Sequence, residues 1–388
     1  MTRLRTPAAV LLAAAFTALP ATTTPAHADT IRARQWGLEA LHTAEAWRTT
    51  KGEGVTVAVL DTGVDARHPD LEGSVLPGRD LVGFGASRGD RAWARHGTAM
   101  AGIIAGHGHG PEGGDGVLGI APDAEILPVR VILESADKSR DKARKTRGTA
   151  LAEGIRWAAD HGADVINLSL GDDSKSAHPD AGEDAAVQYA LAKGVSVVAS
   201  AGNGGEKGDH ISYPAAYPGV IAVTAVDRYG THASFSTSRW YATVSAPGVD
   251  IAIADPDRRY YEGWGTSAAA AFASGAVALV RAAHPDLTPA QVKRLLIDTA
   301  RSRPKGGRSD AKGYGTVDPA AAIEAGARIR GGDPKNTVTG YQGRYFGPGP
   351  VPAAEESRPV GLLAPLAGGL GALLLLTAVV LRRAPRTR

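Results

Sequence analysis

Val57-Ala58-Val59-Leu60-Asp61-Thr62-Gly63 delivers a carboxylate at the end of four apolar residues, with a glycine close behind for a turn. An unbroken apolar run of this length reads as a strand buried on both faces, as in parallel sheets. Similar short runs recur outward from it at 126–132, 165–170, 195–199 and 220–226, most rich in Val and Ile. Helical patterns fall between them at 98–105, 150–161 and 184–193. This alternation predicts an α/β fold, a mostly parallel central sheet with helices on both faces. In such sheets ligands and chemistry gather beyond the carboxyl ends of the strands.

Three more motifs sit at expected strand or helix ends. In Arg95-His96-Gly97-Thr98 a histidine precedes small residues suited to a tightly packed helix. Val197-Val198-Ala199-Ser200-Ala201-Gly202-Asn203 ends a strand in an amide that could donate to a developing oxyanion. Gly265-Thr266-Ser267 places a hydroxyl where the helix 268–283 begins, and helix N-termini favour negative charge. Each has a bland reading when taken alone: a structural histidine, an Asn-Gly turn, an N-cap serine. Asp61-Thr62-Gly63 also fits one half of an aspartic-protease dyad. That chemistry needs a second such carboxylate, and no second Asp-Thr-Gly is present.

Composition narrows the chemistry. The 388-residue chain has no cysteine, so disulfides, thiolate metal sites and cysteine nucleophiles are excluded. Lys plus Arg at 43 nearly matches Asp plus Glu at 40, and a net charge of +3 gives no argument for nucleic acid.

The order Asp, His, Ser, each at the end of an element, is that of subtilisin. Asp61-Thr62-Gly63, His96-Gly97-Thr98 and Gly265-Thr266-Ser267 resemble the three active-site signatures of the subtilases, over roughly 35–326. The resemblance implies a subtilisin-like fold and a serine endopeptidase acting on polypeptide substrates; no cofactor is expected, and no metal among the site residues. Ser267 would be the nucleophile, His96 the general base and acid, Asp61 its orienting partner, and Asn203 the oxyanion-hole donor. Ser169, Leu170 and Gly171 resemble the strand that pairs with an extended substrate. Two departures stand out: Ala268 to Ala270 lead to Ala271 where a proline is usual, and Ala99 replaces a second histidine. The glycine-rich segment 107–116 lacks the familiar calcium-ligating asparagine, so no calcium is expected there. Its His107-Gly108-His109 reads as a flexible solvent loop. An esterase reading fails because position 269 is alanine, not the glycine of the Gly-x-Ser-x-Gly elbow.

The ends suggest the compartment. Arg3 and Arg5, an apolar run and Ala26-His27-Ala28 read as a secretory signal over 1–28. About thirty residues then separate the expected cut from Asp61, too few for a folding pro-domain. Domain 29–326 is followed by a Gly/Pro-rich linker (327–358) and an uncharged apolar stretch (359–381). As a helix that stretch spans the roughly 30 Å hydrocarbon core. Arg382, Arg383, Arg386 and Arg388 place the tail (382–388) in the cytoplasm and the protease domain outside the cell membrane. This layout, with Gln35-Trp36-Gly37-Leu38-Glu39-Ala40-Leu41 and Ala46-Trp47, is similar to the mycosins, membrane-anchored proteases associated with type VII secretion. That similarity implies secretion-complex partners, and it opens an alternative in which the protein is a structural component and proteolysis is dispensable. Lys138 to Arg147, six basic residues against Asp141, reads as a solvated loop near the cleft.

Overall fold

The computed structural model describes residues 31–329. The signal, the membrane helix at 359–381, the tail and the linker beyond its first three positions lie outside the described residues.

In chain order the strands are β1 (Thr56–Asp61), β2 (Arg79–Asp80), β3 (His107–His109), β4 (Asp115–Leu118), β5 (Glu125–Arg130) and β6 (Val165–Leu168). β7 (Ser196–Ser200), β8 (Ile221–Val226), β9 (Ala242–Pro247), β10 (Ile251–Ala254) and β11 (Tyr260–Gly263) follow. The α-helices are α1 (Trp36–Ala40), α2 (Thr43–Ala46), α3 (Arg95–Ala105), α4 (Arg140–Thr146) and α5 (Ala150–Asp160). Beyond them lie α6 (Ala181–Ala192), α7 (Thr266–Ala283), α8 (Pro289–Thr299) and α9 (Pro319–Gly326).

Seven strands form one sheet in the order β2-β5-β1-β6-β7-β8-β9. Every pairing within it is parallel. The order reverses at β1, between β5 and β6, and the crevice beyond such a switch point is where open α/β sheets bind ligands. Asp61 is the last residue of β1.

Alternation along β1 divides the core. Val57 and Val59 face the cluster built with α3, α7, α8 and α9, while Ala58 and Leu60 face the one built with α5 and α6. Helix α7 is long and apolar enough to cross a membrane, but 78% of it is buried inside the domain, so it is a core helix. Its run of alanines keeps it thin enough to lie against the sheet, and Gly275 lets it approach the chain that follows β4. A Cβ at Gly275 would stand 2.5 Å from Ile120 Cβ.

The expected strands all form, with ends displaced by one or two residues. Two loop expectations are corrected. Segment 107–116 carries β3 and a helical turn and leads into β4, with which β3 pairs antiparallel. It is pinned because His109 Nδ1 lies 2.6 Å from Oδ1 of the fully buried Asp70. Segment 138–147 is largely helix α4, tied down by Arg140 donating to the Leu133 carbonyl (2.6 Å) and Arg147 to that of Val82 (3.1 Å).

Before the sheet, the N-terminal segment is stapled to the domain by its polar tips. Gln35 exchanges two hydrogen bonds with the Leu118 backbone, at 2.7 and 2.9 Å, and the Trp47 indole donates to Ile120 O at 2.8 Å.

Candidate active site

Asp61 is buried, 0% exposed, and both its oxygens lie within reach of His96 Nδ1, at 2.8 and 2.9 Å. A carboxylate can only accept, so Nδ1 carries the hydrogen and Nε2 presents its lone pair. The Thr62 N–H donates to Asp61 Oδ1 at 2.7 Å, fixing the carboxylate from its other side. His96 lies in the first turn of α3, and Gly97 lets that turn approach β1. A Cβ there would sit 2.0 Å from Gly63 O and 3.2 Å from Asp61 Cβ.

The His96 ring keeps some exposure on its outer side, 36% for the side chain. Burial pushes its pKa down. The Asp61 charge and hydrogen bond, with Glu134 adding and Arg140 opposing, more than offset this, and the ring titrates above an ordinary imidazole.

Ser267 occupies the first turn of α7, after Gly265 at φ 145°. Its hydroxyl donates to Ser169 O at 3.0 Å, and Ser169 Oγ donates back to Ser267 O at 2.8 Å. Buried Asn167 reaches Ser169 Oγ (3.0 Å) and accepts from Ser274 Oγ (3.0 Å), tying α7 to β6 beneath the nucleophile. The structure therefore joins Asp61 to His96 and Ser267 to Ser169. The Ser267 hydroxyl must leave the Ser169 carbonyl before it can pass a proton to His96.

Asn203 faces the same turn. Its Oδ1 accepts from Thr266 N (2.9 Å) and Thr266 Oγ1 (3.0 Å). The backbone donor fixes which end of the amide is oxygen and turns the Nδ2 donors outward. A point one bond from the Gly265 Cα lies 3.7 Å from Ser267 N and 3.8 Å from both Asn203 Nδ2 and Oδ1, so the nucleophile's backbone N–H and the Asn203 amide both border Gly265. Ser267 N belongs to the helix-start donors that lack intrahelical acceptors.

Of the expected substrate strand, Ser169 is engaged with the nucleophile's turn, and Leu170 O accepts from Ser200 Oγ at 3.4 Å. Gly171 runs close to the chain at 212–213, where a Cβ would meet Tyr213 O at 2.8 Å. Sequence reasoning missed Glu134, whose Oε1 accepts from His96 N (2.7 Å) and Thr62 Oγ1 (2.8 Å). No motif marks it. It follows β5 by four residues, and only the fold brings it to His96. Among the described residues no group of three or more His, Asp or Glu side chains is arranged to hold a metal ion.

Fold and site define a parallel α/β protein with an Asp, His and Ser constellation at the carboxyl edge of its sheet. The sequence model of the subtilase family (peptidase S8) matches residues 52–315, and the chain belongs to that family. It is 37% identical over 326 residues to fervidolysin of Fervidobacterium pennivorans, covering 76% of this chain and 44% of that protein. A thermophilic serine proteinase of Bacillus sp. (strain AK1) is 42% identical over 247 residues, 63% of this chain. The chain spans 44% and 57% of the lengths of these two relatives. Among solved structures, MycP1 of Mycobacterium smegmatis superimposes with a TM-score of 0.64 at 31% identity, covering 77% of this chain and 86% of that one.

Proposed function

We propose that the protein is a serine endopeptidase using Ser267, His96 and Asp61, tethered outside the cell membrane and working in or near a type VII secretion system. The observation that carries the catalytic part is the Asp61–His96 pair. A buried carboxylate fixes the tautomer of an imidazole that keeps part of its surface open to solvent.

In the first step Ser267 Oγ attacks the peptide carbonyl carbon as its proton passes to His96 Nε2. The carbonyl oxygen takes the electron pair and is met by Asn203 Nδ2 and Ser267 N. Asp61 stabilises the imidazolium without taking its proton. As the tetrahedral centre collapses, the C–N bond breaks and His96 returns the proton to the departing amine. Water, deprotonated by His96, then attacks the acyl carbon; as the acyl C–O bond to Ser267 breaks, His96 returns that proton to Ser267 Oγ and the free acid departs.

Membrane tethering rests on the uncharged stretch 359–381 and the arginines behind it. Secretion association rests on likeness to MycP1. Cleavage is tested by incubating the detergent-solubilised full chain with a denatured-protein digest and reading new termini by mass spectrometry. New internal termini from the parent and none from Ser267→Ala support the reading, whereas equal cleavage by both contradicts it. The resting contact of Ser267 with Ser169 favours a second reading, a structural component of a secretion complex, which complete inactivity of the parent would support.

A further inference from the structure

The helix that carries His96 lacks a cap of its own. Ala94, which precedes α3, has a left-handed backbone (φ 55°) and no side-chain hydrogen bond to the helix. The first N–H groups of a helix need acceptors, and a negative charge there is favoured by the helix dipole. Two residues from elsewhere supply the acceptors. Glu134 Oε1 takes the His96 N–H at 2.7 Å, and Thr62 Oγ1 takes that of Gly97 at 3.1 Å. Thr62 donates its own hydrogen to Glu134 Oε1 at 2.8 Å. One carboxylate oxygen thus joins the end of β1, the start of α3 and the segment after β5.

We infer that Glu134 is a positioning residue for catalysis, capping α3 from outside and holding the backbone of His96 so that its ring meets Asp61. This deepens the proposed peptidase function and rests on it. Positioning is costly to lose, because small displacements of a proton-transferring group sharply reduce rate. The carboxylate also contributes charge. The charges that act on the imidazole are Asp61 from β1, Glu134 after β5 and Arg140 from α4. Arg95, its neighbour on α3, is ion-paired with Asp255. Asp61 and Glu134 favour the protonated ring and Arg140 opposes it. Glu134 therefore both fixes the place of His96 and helps set the pH at which it becomes a base.

The two roles separate by substitution. Glu134→Gln keeps an oxygen acceptor and removes the charge, while Glu134→Ala removes both. The readout is the rate of fluorophosphonate labelling of the full chain against pH. For Glu134→Gln the high-pH plateau should stay within about threefold of the parent, and the acid midpoint should fall by about 0.5–1 unit. For Glu134→Ala the plateau should also drop, by about tenfold or more. Melting temperatures measured alongside identify a variant that has merely lost stability. A merely structural Glu134 would lower the melting temperature of either variant and leave the midpoint of the folded protein in place, and that result overturns the inference. If the parent does not label at all, the peptidase reading fails separately. Glu134 is then judged by NMR titration of His96 in Ser267→Ala with and without Glu134→Gln, where an unchanged midpoint overturns its role.

Discussion

At Asn203 the two ends of one amide have separate duties. Oδ1 is anchored by the Thr266 backbone and hydroxyl, and in the proposed mechanism Nδ2 meets the developing oxyanion. Asn203→Ala should therefore lower kcat by roughly 10²–10³, the range found for the oxyanion-hole asparagine of subtilisin, with little change in KM. Progress curves on a peptide substrate check this, and an unaltered kcat would remove Asn203 from the site. In the same proposed mechanism His96 sets the pH dependence. A general base works only when neutral, and this ring is held above the ordinary imidazole value. Catalysis should accordingly fade as pH drops through a midpoint higher than that of free imidazole, and a kcat/KM profile reads it directly. Asp61, His96, Asn203 and Ser267 could be picked out in the sequence because each stands at or just beyond the end of an element, within two residues of a glycine. Glu134 was not, since its partner is 38 residues away and depends on where the chain goes after β5.

Among the elements, α3 and β1 show how closely backbone can be packed around a charge. Gly97→Ala would drive a Cβ toward Gly63 O, 2.0 Å away, and either the helix or the Asp61 turn must yield. Overpacking of this kind costs about 1–3 kcal/mol, and here it also parts His96 from Asp61. Both a lower melting temperature and slower fluorophosphonate labelling are expected. Helix α8 offers the contrast. Its capping box between Thr288 and Gln291 lies in a helix away from the site residues. Thr288→Ala should cost about 0.5–2 kcal/mol of stability and leave the labelling rate of the folded protein unchanged. The strands at 126–132 and 165–170 were readable because parallel strands buried on both faces need continuous apolar runs. Segments 107–116 and 138–147 were read as loops because glycine and charge mark solvent; 138–147 is indeed mostly exposed, but both carry regular structure. Here Asp70 captures His109, and two carbonyls capture Arg140 and Arg147.

For the molecule as a whole, topology concentrates the chemistry. Asp61 ends β1 at the switch point of the sheet, and Ser169 and Asn203 follow the neighbouring strands β6 and β7. Helix α7 then brings Ser267 to the same edge from within the core. Parallel strands share one direction, so all their carboxyl ends deliver residues to one side. If 359–381 anchors the chain, the full protein should sediment with membranes, and ending the chain after residue 358 should release it to the soluble fraction. Unchanged sedimentation would set that reading aside.

In the proposed mechanism Asp61 and His96 make Ser267 a nucleophile. The direct measurement is fluorophosphonate labelling of the full chain at alkaline pH beside Ser267→Ala and Asp61→Asn. The parent should label at one site, Ser267→Ala not at all, and Asp61→Asn slower by up to about 10⁴, the loss known when this carboxylate no longer fixes the tautomer. Labelling of Asp61→Asn at the parent's rate, or of Ser267→Ala at all, would contradict it.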